Sequence, residues 1–227
     1  DQDFATHILR TERLRNGATL SEATGELAAA LGIESAILPV TDDPVATLVQ
    51  THDGWLDFQD YFVGRRQADD VLGVRFEGIE RAQASSAVLQ EITNAAVVVI
   101  APSNPIVSVA PILQTPGVSE ALSRRTAPVV AVSPIIGGQA LKGPAANMLR
   151  TLGHDVSALG VARIYGTVID GLVIDNADAA LAPEIEALGH RVLATNAIMG
   201  DATDRARFAD EVLEFAGSLA REQAAAR

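Results

Sequence analysis

The sequence has 227 residues, 48% of them hydrophobic and 20% charged, with no cysteine and a formal net charge of −12. That length can bury a real core as one large domain or two small ones, and the lack of cysteine excludes a disulfide framework or a thiolate metal site and fits a reducing cytoplasm. An acidic chain with no apolar run of roughly 18 residues, and no basic segment leading an apolar one at its start, predicts a protein that binds neither nucleic acid nor membrane.

In chain order, residues 4–15 carry Phe4, Ile8 and Leu14 among polar side chains, which predicts a helix closed by Gly17. Residues 21–31 repeat the pattern, with Thr19 or Ser21 as N-cap and Gly32 as the stop. Residues 35–40 read as a strand and Thr41-Asp42-Asp43-Pro44 as a turn. Residues 45–51, 55–63 and 71–79 read as short strands of an antiparallel or mixed region. From Ala95 the pattern changes to strands alternating with helices, the mark of a parallel α/β sheet. Residues 96–101 (AVVVIA) and 128–132 (PVVAV) predict strands buried on both faces, and 171–175 and 192–195 two more. Helices are predicted over 118–125, 144–152, 157–165 and 180–188, with a long amphipathic one from Thr203. The fold class is therefore α/β: a Rossmann-like parallel sheet flanked by helices, with a smaller mixed α+β region in the first third.

In such sheets ligands bind beyond the carboxyl ends of the strands. The first buried run is followed by Pro102-Ser103-Asn104-Pro105, either a rigid turn capping the next helix or a hydroxyl and an amide held toward a ligand. The second is followed by Ser133-Pro134-Ile135-Ile136-Gly137-Gly138 and then Lys142-Gly143-Pro144. This is either a plain glycine-rich turn or a phosphate cradle of backbone N–H groups with one lysine. Asp1 and Asp3, with Thr6 and His7, are either helix-dipole partners or a site that holds a divalent cation and orients an attacking hydroxyl. Asp175 and Asp178 are either caps of the next helix or ligand contacts. Trp55, Phe58, Tyr61 and Phe62 are either core or a wall for a flat tricyclic ligand. The four histidines, His7, His52, His154 and His190, show no metal-binding spacing, and neither GxSxG nor GxGxxG occurs.

Five blocks carry a resemblance: DQDFATHILRTE (1–12), LPVTDDPVATLVQT (38–51), DFQDYFVGRR (57–66), APSNPIVSVAPIL (101–113) and APVVAVSPIIGGQALKGPA (127–145). In order and spacing they resemble the 2-phospho-L-lactate transferase family of coenzyme F-420 biosynthesis, whose actinobacterial relatives use a phosphoenolpyruvyl donor. The likeness runs over essentially the whole chain. It implies a single α/β transferase domain over 1–227, with an acceptor-side region over 1–94 and a nucleotide-binding region over 95–227. The implied reaction moves a phospholactyl, phosphoenolpyruvyl or phosphoglyceryl phosphate from a GDP-linked donor to the hydroxyl of the deazaflavin precursor, releasing GMP. Ser103, Asn104, Ser133, Gly137, Gly138 and Lys142 would contact the nucleotide and its phosphates. Asp1, Asp3 and His7 would be catalytic, with Thr6 beside them and Asp1 a ligand of Mg²⁺. The family's opening strand, GGxGG-type loop, NTGDD-like segment and PDLDT-like block are expected to lie outside this sequence. They would take with them part of the phosphate cradle and the principal metal carboxylates. A homodimer is the default expectation for a soluble enzyme of this size. The alternative reading is a nucleotide-sugar-binding regulatory protein of the related fold.

Overall fold

A computed structural model describes residues 2–225. It opens with two helices, α1 (Gln2–Arg15) and α2 (Leu20–Ala30). Thr19 caps α2 in both directions: its hydroxyl accepts the Glu22 N–H, and the Glu22 carboxylate accepts the Thr19 N–H. α1 leans on α2 through the Arg13–Glu26 pair and buries none of its own residues, leaving Phe4, Ile8 and Leu9 exposed.

The strand expected over 35–40 does not form. Pro39 has no N–H to give a ladder, Ile37 and Leu38 stay exposed, and the Val40 carbonyl accepts the Ser85 N–H instead.

Three strands follow, β1 (Ala46–Thr51), β2 (Gly54–Asp57) and β3 (Gly73–Glu77), forming an antiparallel sheet in the order β2-β1-β3. The strand expected over 55–63 stops at Asp57, and a single π-helical turn spans Asp60–Gly64. The spacing of Phe58, Tyr61 and Phe62 explains the break, since residues three and four apart share one side of a helical turn and not of a strand. Tyr61 is fully buried there against Val49, Val71 and Met148. The turn leaves through Arg66 and Gln67, both left-handed at φ 52° and 53°, an uncommon conformation for residues with a Cβ.

The second part alternates as the sequence predicts. Its elements are α3 (Ser86–Asn94), β4 (Val98–Ile100), a π-helical turn over Pro105–Val109 running into α4 (Ala110–Gln114), α5 (Val118–Arg124) and β5 (Val129–Val132). Then come a tight hairpin of β6 (Ile135–Ile136) and β7 (Gln139–Ala140), and α6 (Ala145–Thr151) and α7 (Ala158–Tyr165). The chain continues through β8 (Gly171–Asp175), α8 (Ala182–Ala187), β9 (Arg191–Thr195) and α9 (Ala202–Ala225). α3, α4 and the hairpin lie outside the sequence reading.

β4, β5, β8 and β9 form one parallel sheet in the order β4-β5-β8-β9. Every residue of β5 and β8 is buried. Their alternation divides the core: Val129, Ala131 and Leu172 pack with Leu149 and Val161 on one face. On the other, Val130, Val132 and Val173 meet Phe208, Val212 and Leu219 of α9. β4, expected to be buried on both faces, is an edge strand with Val99 42% exposed. A short β-branched run reads alike in interior and edge strands, because its composition does not record which side lacks a neighbour.

Tyr165 on α7 is buried, and its hydroxyl has no hydrogen-bond partner among the described residues. Burial pushes its phenol well above the ordinary tyrosine value. Tyr165→Phe is therefore expected to leave stability unchanged or raise it by about 1 kcal/mol, since it removes a buried polar group that gains nothing in return. Denaturant unfolding checks this; a loss larger than about 1 kcal/mol would mean that the hydroxyl is bonded.

Candidate active site

The carboxyl ends of β4, β5 and β9 open into one cleft of about 720 Å³, a volume suited to a small-molecule ligand. After β4 the chain supplies Pro102 and Asn104, and the following π-helical turn adds Val107 and Ser108. Asn104 is buried and caps that turn, its Oδ1 accepting the N–H groups of Ile106 at 2.9 Å and Val107 at 3.4 Å. Its Nδ2 meets only the Met148 Sδ at 3.4 Å, a weak acceptor. The amide's acceptor half is thus spent on the fold, and its donor half makes only this weak contact among the described residues.

After β5 the wall is made by Ser133, Pro134 and Ile136. The Ser133 hydroxyl donates to the Ile135 carbonyl at 2.9 Å and accepts the Ile135 N–H at 3.1 Å, so it closes the turn on itself. The Ser133 N–H belongs to the sheet, on the Val173 carbonyl. Beyond the hairpin, Leu141, Lys142 and Gly143 reach the cleft ahead of α6. Lys142 is exposed and has no ion-pair partner among the described residues. Among the described residues it is the one cation of the lining, and no carboxylate or histidine joins it there. In a chain of net charge −12 this makes the cleft a local exception, open to an anion.

The remaining walls are apolar. Phe58 and Phe62 stand 5.5 Å apart with their rings inclined by only 13°, and Phe58 lies 6.4 Å from Tyr61 behind them. Burial raises the Tyr61 phenol above its ordinary value, and the Asp69 and Asp70 carboxylates add to the rise. Ala197, Ile198 and Met199, after β9, complete the enclosure. The lining therefore offers an amide, hydroxyls and an ammonium together with a pair of aromatic rings.

Of the residues singled out from sequence, Asn104, Ser133 and Lys142 line this cleft, as do Phe58 and Phe62 of the aromatic cluster, while Trp55 and Tyr61 do not. Ser103 is adjacent in chain but outside the lining. Gly137 and Gly138 form the hairpin turn, with φ of 57° and 76°, and do not line it either; the Gly137 N–H is given to the Asp178 carboxylate at 3.0 Å. Asp3, Thr6 and His7 ride on α1 and are not brought to the cleft. Thr6 donates to the Gln2 carbonyl, and the His7 Nδ1 sits 2.7 Å from the Arg10 guanidinium. Asp1 lies outside the described residues. Met199 escaped the sequence reading, and Ser108 stood there only as the end of the SNPxxS block, with no role of its own. Ser108 had a signal, because it follows Asn104 by four positions and so shares its side of a helical turn.

Among the described residues no group of three or more histidine, aspartate or glutamate side chains is placed to hold a metal ion. The cleft lining offers a neutral amide, hydroxyls and a cation, a poor match to the hard anionic oxygens that Mg²⁺ prefers. The lining by itself offers no Mg²⁺ site, and Asp1, the expected ligand, lies outside the described residues.

The sequence profile of the family described as 2-phospho-L-lactate transferase CofD matches residues 1–203. The chain belongs to this transferase family. A 2-phospho-L-lactate transferase of Methanosarcina acetivorans is 42% identical over 219 residues, which cover 96% of this chain and 69% of that protein. Another from Methanococcoides burtonii is 42% identical over 199 residues, covering 88% of this chain and 64% of that one. A phosphoenolpyruvate transferase of Streptomyces griseus is 39% identical over 221 residues, covering 95% of this chain and 70% of that one. The chain thus spans about two thirds of the length of these family members. In fold it is similar to a Bacillus halodurans crystal structure at a TM-score of 0.63 with 16% identity, covering 91% of this chain and 70% of that one. That agrees with the parallel α/β class expected from the alternating pattern. No helix among the described residues is long and apolar enough to cross a membrane.

Proposed function

We propose that the cleft takes a GDP-activated phospholactyl or phosphoenolpyruvyl donor together with the deazaflavin precursor, and that the protein acts in coenzyme F-420 biosynthesis. The observation that carries this reading is the pairing, within one cleft, of Lys142 and the Asn104 amide with the stacked Phe58–Phe62 wall, in a chain of this family. The diphosphate lies by Lys142 and Asn104, and the deazaflavin ring lies flat against the aromatic pair.

The acceptor hydroxyl oxygen forms a bond to the donor's β-phosphorus as the bond from that phosphorus to the GMP oxygen breaks. GMP departs and a phosphodiester remains. Catalysis of such transfers is mostly alignment and charge stabilisation. Here the Lys142 ammonium and the Asn104 N–H face the phosphoryl oxygens on which negative charge spreads. No carboxylate or histidine among the described residues lines the cleft, so within these residues the hydroxyl proton passes to water or to a donor phosphate oxygen.

The deazaflavin precursor fluoresces, so a titration with and without GDP tests the reading. Saturable binding that tightens with GDP is expected. Absence of deazaflavin binding, with GDP or a nucleotide sugar still bound, would overturn the transferase reading in favour of a nucleotide-binding regulator.

A further inference from the structure

Two buried carboxylates stand at the end of β8, just behind the cleft and outside its lining: Asp175 and Asp178. Neither has an ion-pair partner among the described residues. What they hold is backbone. Asp175 Oδ1 accepts the Ala177 N–H at 2.9 Å, capping the turn that follows the strand, and its Oδ2 accepts the Ala197 N–H, also at 2.9 Å. Asp178 Oδ2 accepts the Gly137 N–H at 3.0 Å across the sheet end.

The two recipients belong to two different segments that supply cleft residues. Ala197 begins the 197–199 wall, and Gly137 turns the β6–β7 hairpin, which carries Ile136 and leads to Lys142. Neither wall has an extensive ladder of its own. The hairpin has two residue pairs, and residues 196–199 belong to no strand or helix. A hydrogen bond to a buried carboxylate is stronger than one between neutral groups, and strands β5 and β8 behind it are fully buried and rigid.

We propose that Asp175 and Asp178 are positioning residues that fix the spacing of the two cleft walls, and through the hairpin the placement of Lys142, for a phosphorylated ligand. The ligand class rests on the reading given under Proposed function; the wall-fixing role does not. Asp178 locates the cationic wall and Asp175 the apolar one. Because each acts through an N–H group, an asparagine that keeps one acceptor oxygen retains much of the effect and an alanine none.

Two measurements on the whole chain test this. Titration calorimetry with GDP as the probe is expected to show Asp178→Ala weakened about tenfold, with Asp178→Asn recovering most of the loss. Amide hydrogen exchange is expected to accelerate about tenfold at residues 135–142 in Asp178→Ala, and at residues 196–199 in Asp175→Ala. The amides of β5 and β8 should keep their original rates in both. Unchanged exchange at Gly137 and Ala197 would overturn the proposal, as would faster exchange spread evenly over the sheet, which marks simple destabilisation. Loosened walls with unaltered GDP affinity would overturn the positioning role. If the unsubstituted chain itself fails to bind GDP, the functional reading falls, and exchange alone decides whether the carboxylates fix the walls.

Discussion

Lys142→Ala is expected to weaken GDP binding by roughly 10- to 100-fold while leaving the folded state untouched. A charge-assisted hydrogen bond contributes about 1.5–3 kcal/mol, and each 1.4 kcal/mol is a factor of ten. Two features place the effect at this size. Among the described residues Lys142 is the one cation of the cleft, so no neighbouring charge there compensates for its loss. It is also exposed and has no partner in the fold among the described residues, so its removal orphans no buried group. Lys142→Arg keeps the charge and should retain most of the affinity. Added salt should weaken the unsubstituted chain more than Lys142→Ala, because screening acts on the charge that the variant lacks. Calorimetric titration at low and high salt reads both effects. Equal affinities for Lys142→Ala and the unsubstituted chain would remove the diphosphate from this end of the cleft.

Gly160→Val is expected to cost at least about 3 kcal/mol of stability, lowering the unfolding midpoint by roughly 6–12 °C in a chain of this size. Gly160 lies in the first turn of α7, where its N–H is capped by the Ser157 hydroxyl at 3.0 Å. A Cβ built on it would overlap the carbonyl of Asp155. The obstacle is main chain in the turn that feeds the helix, so no side-chain rotation relieves it. Moving the helix instead would disturb Leu159, Val161 and Ala162 in the largest core cluster. Gly25 supplies the control of opposite sign. It is an exposed glycine inside α2, its added Cβ would meet nothing within 4 Å, and Gly25→Ala should stabilise by about 0.5–1 kcal/mol through helix propensity alone. Thermal unfolding of both variants, one down and one up, checks the argument; a silent Gly160→Val would refute it.

The two glycines also show why the cleft was only partly legible. Both stand inside helical patterns in the sequence, and nothing local separates the one that opposes a carbonyl from the one that opposes solvent. The same limit applies to Ser133 and Asn104. Each was visible as a polar residue after a buried strand, the position where parallel sheets keep their chemistry. Only the folded chain shows the Ser133 hydroxyl closed on Ile135 and the Asn104 amide split between a cap and an open donor. Asp175 and Asp178 read as caps or ligand contacts. Asp175 does cap the next turn, and both also hold the N–H groups of chain segments that supply cleft residues.

What the amino-acid order by itself determined is whatever depends on near neighbours. β5 was visible because its run is almost wholly β-branched, and α2 because its N-cap and closing glycine are local signals. The family was legible too, since its blocks are short and ordered. Tertiary structure decided the rest. It made β4 an edge, brought Phe58 and Phe62 into one cleft with Lys142, and left Asp3, Thr6 and His7 of α1 out of that cleft's lining. Each of these depends on which segments, tens of residues apart in sequence, lie side by side once the core is packed. No periodicity within one segment encodes its neighbour, because burial depends on the partner as much as on the residue.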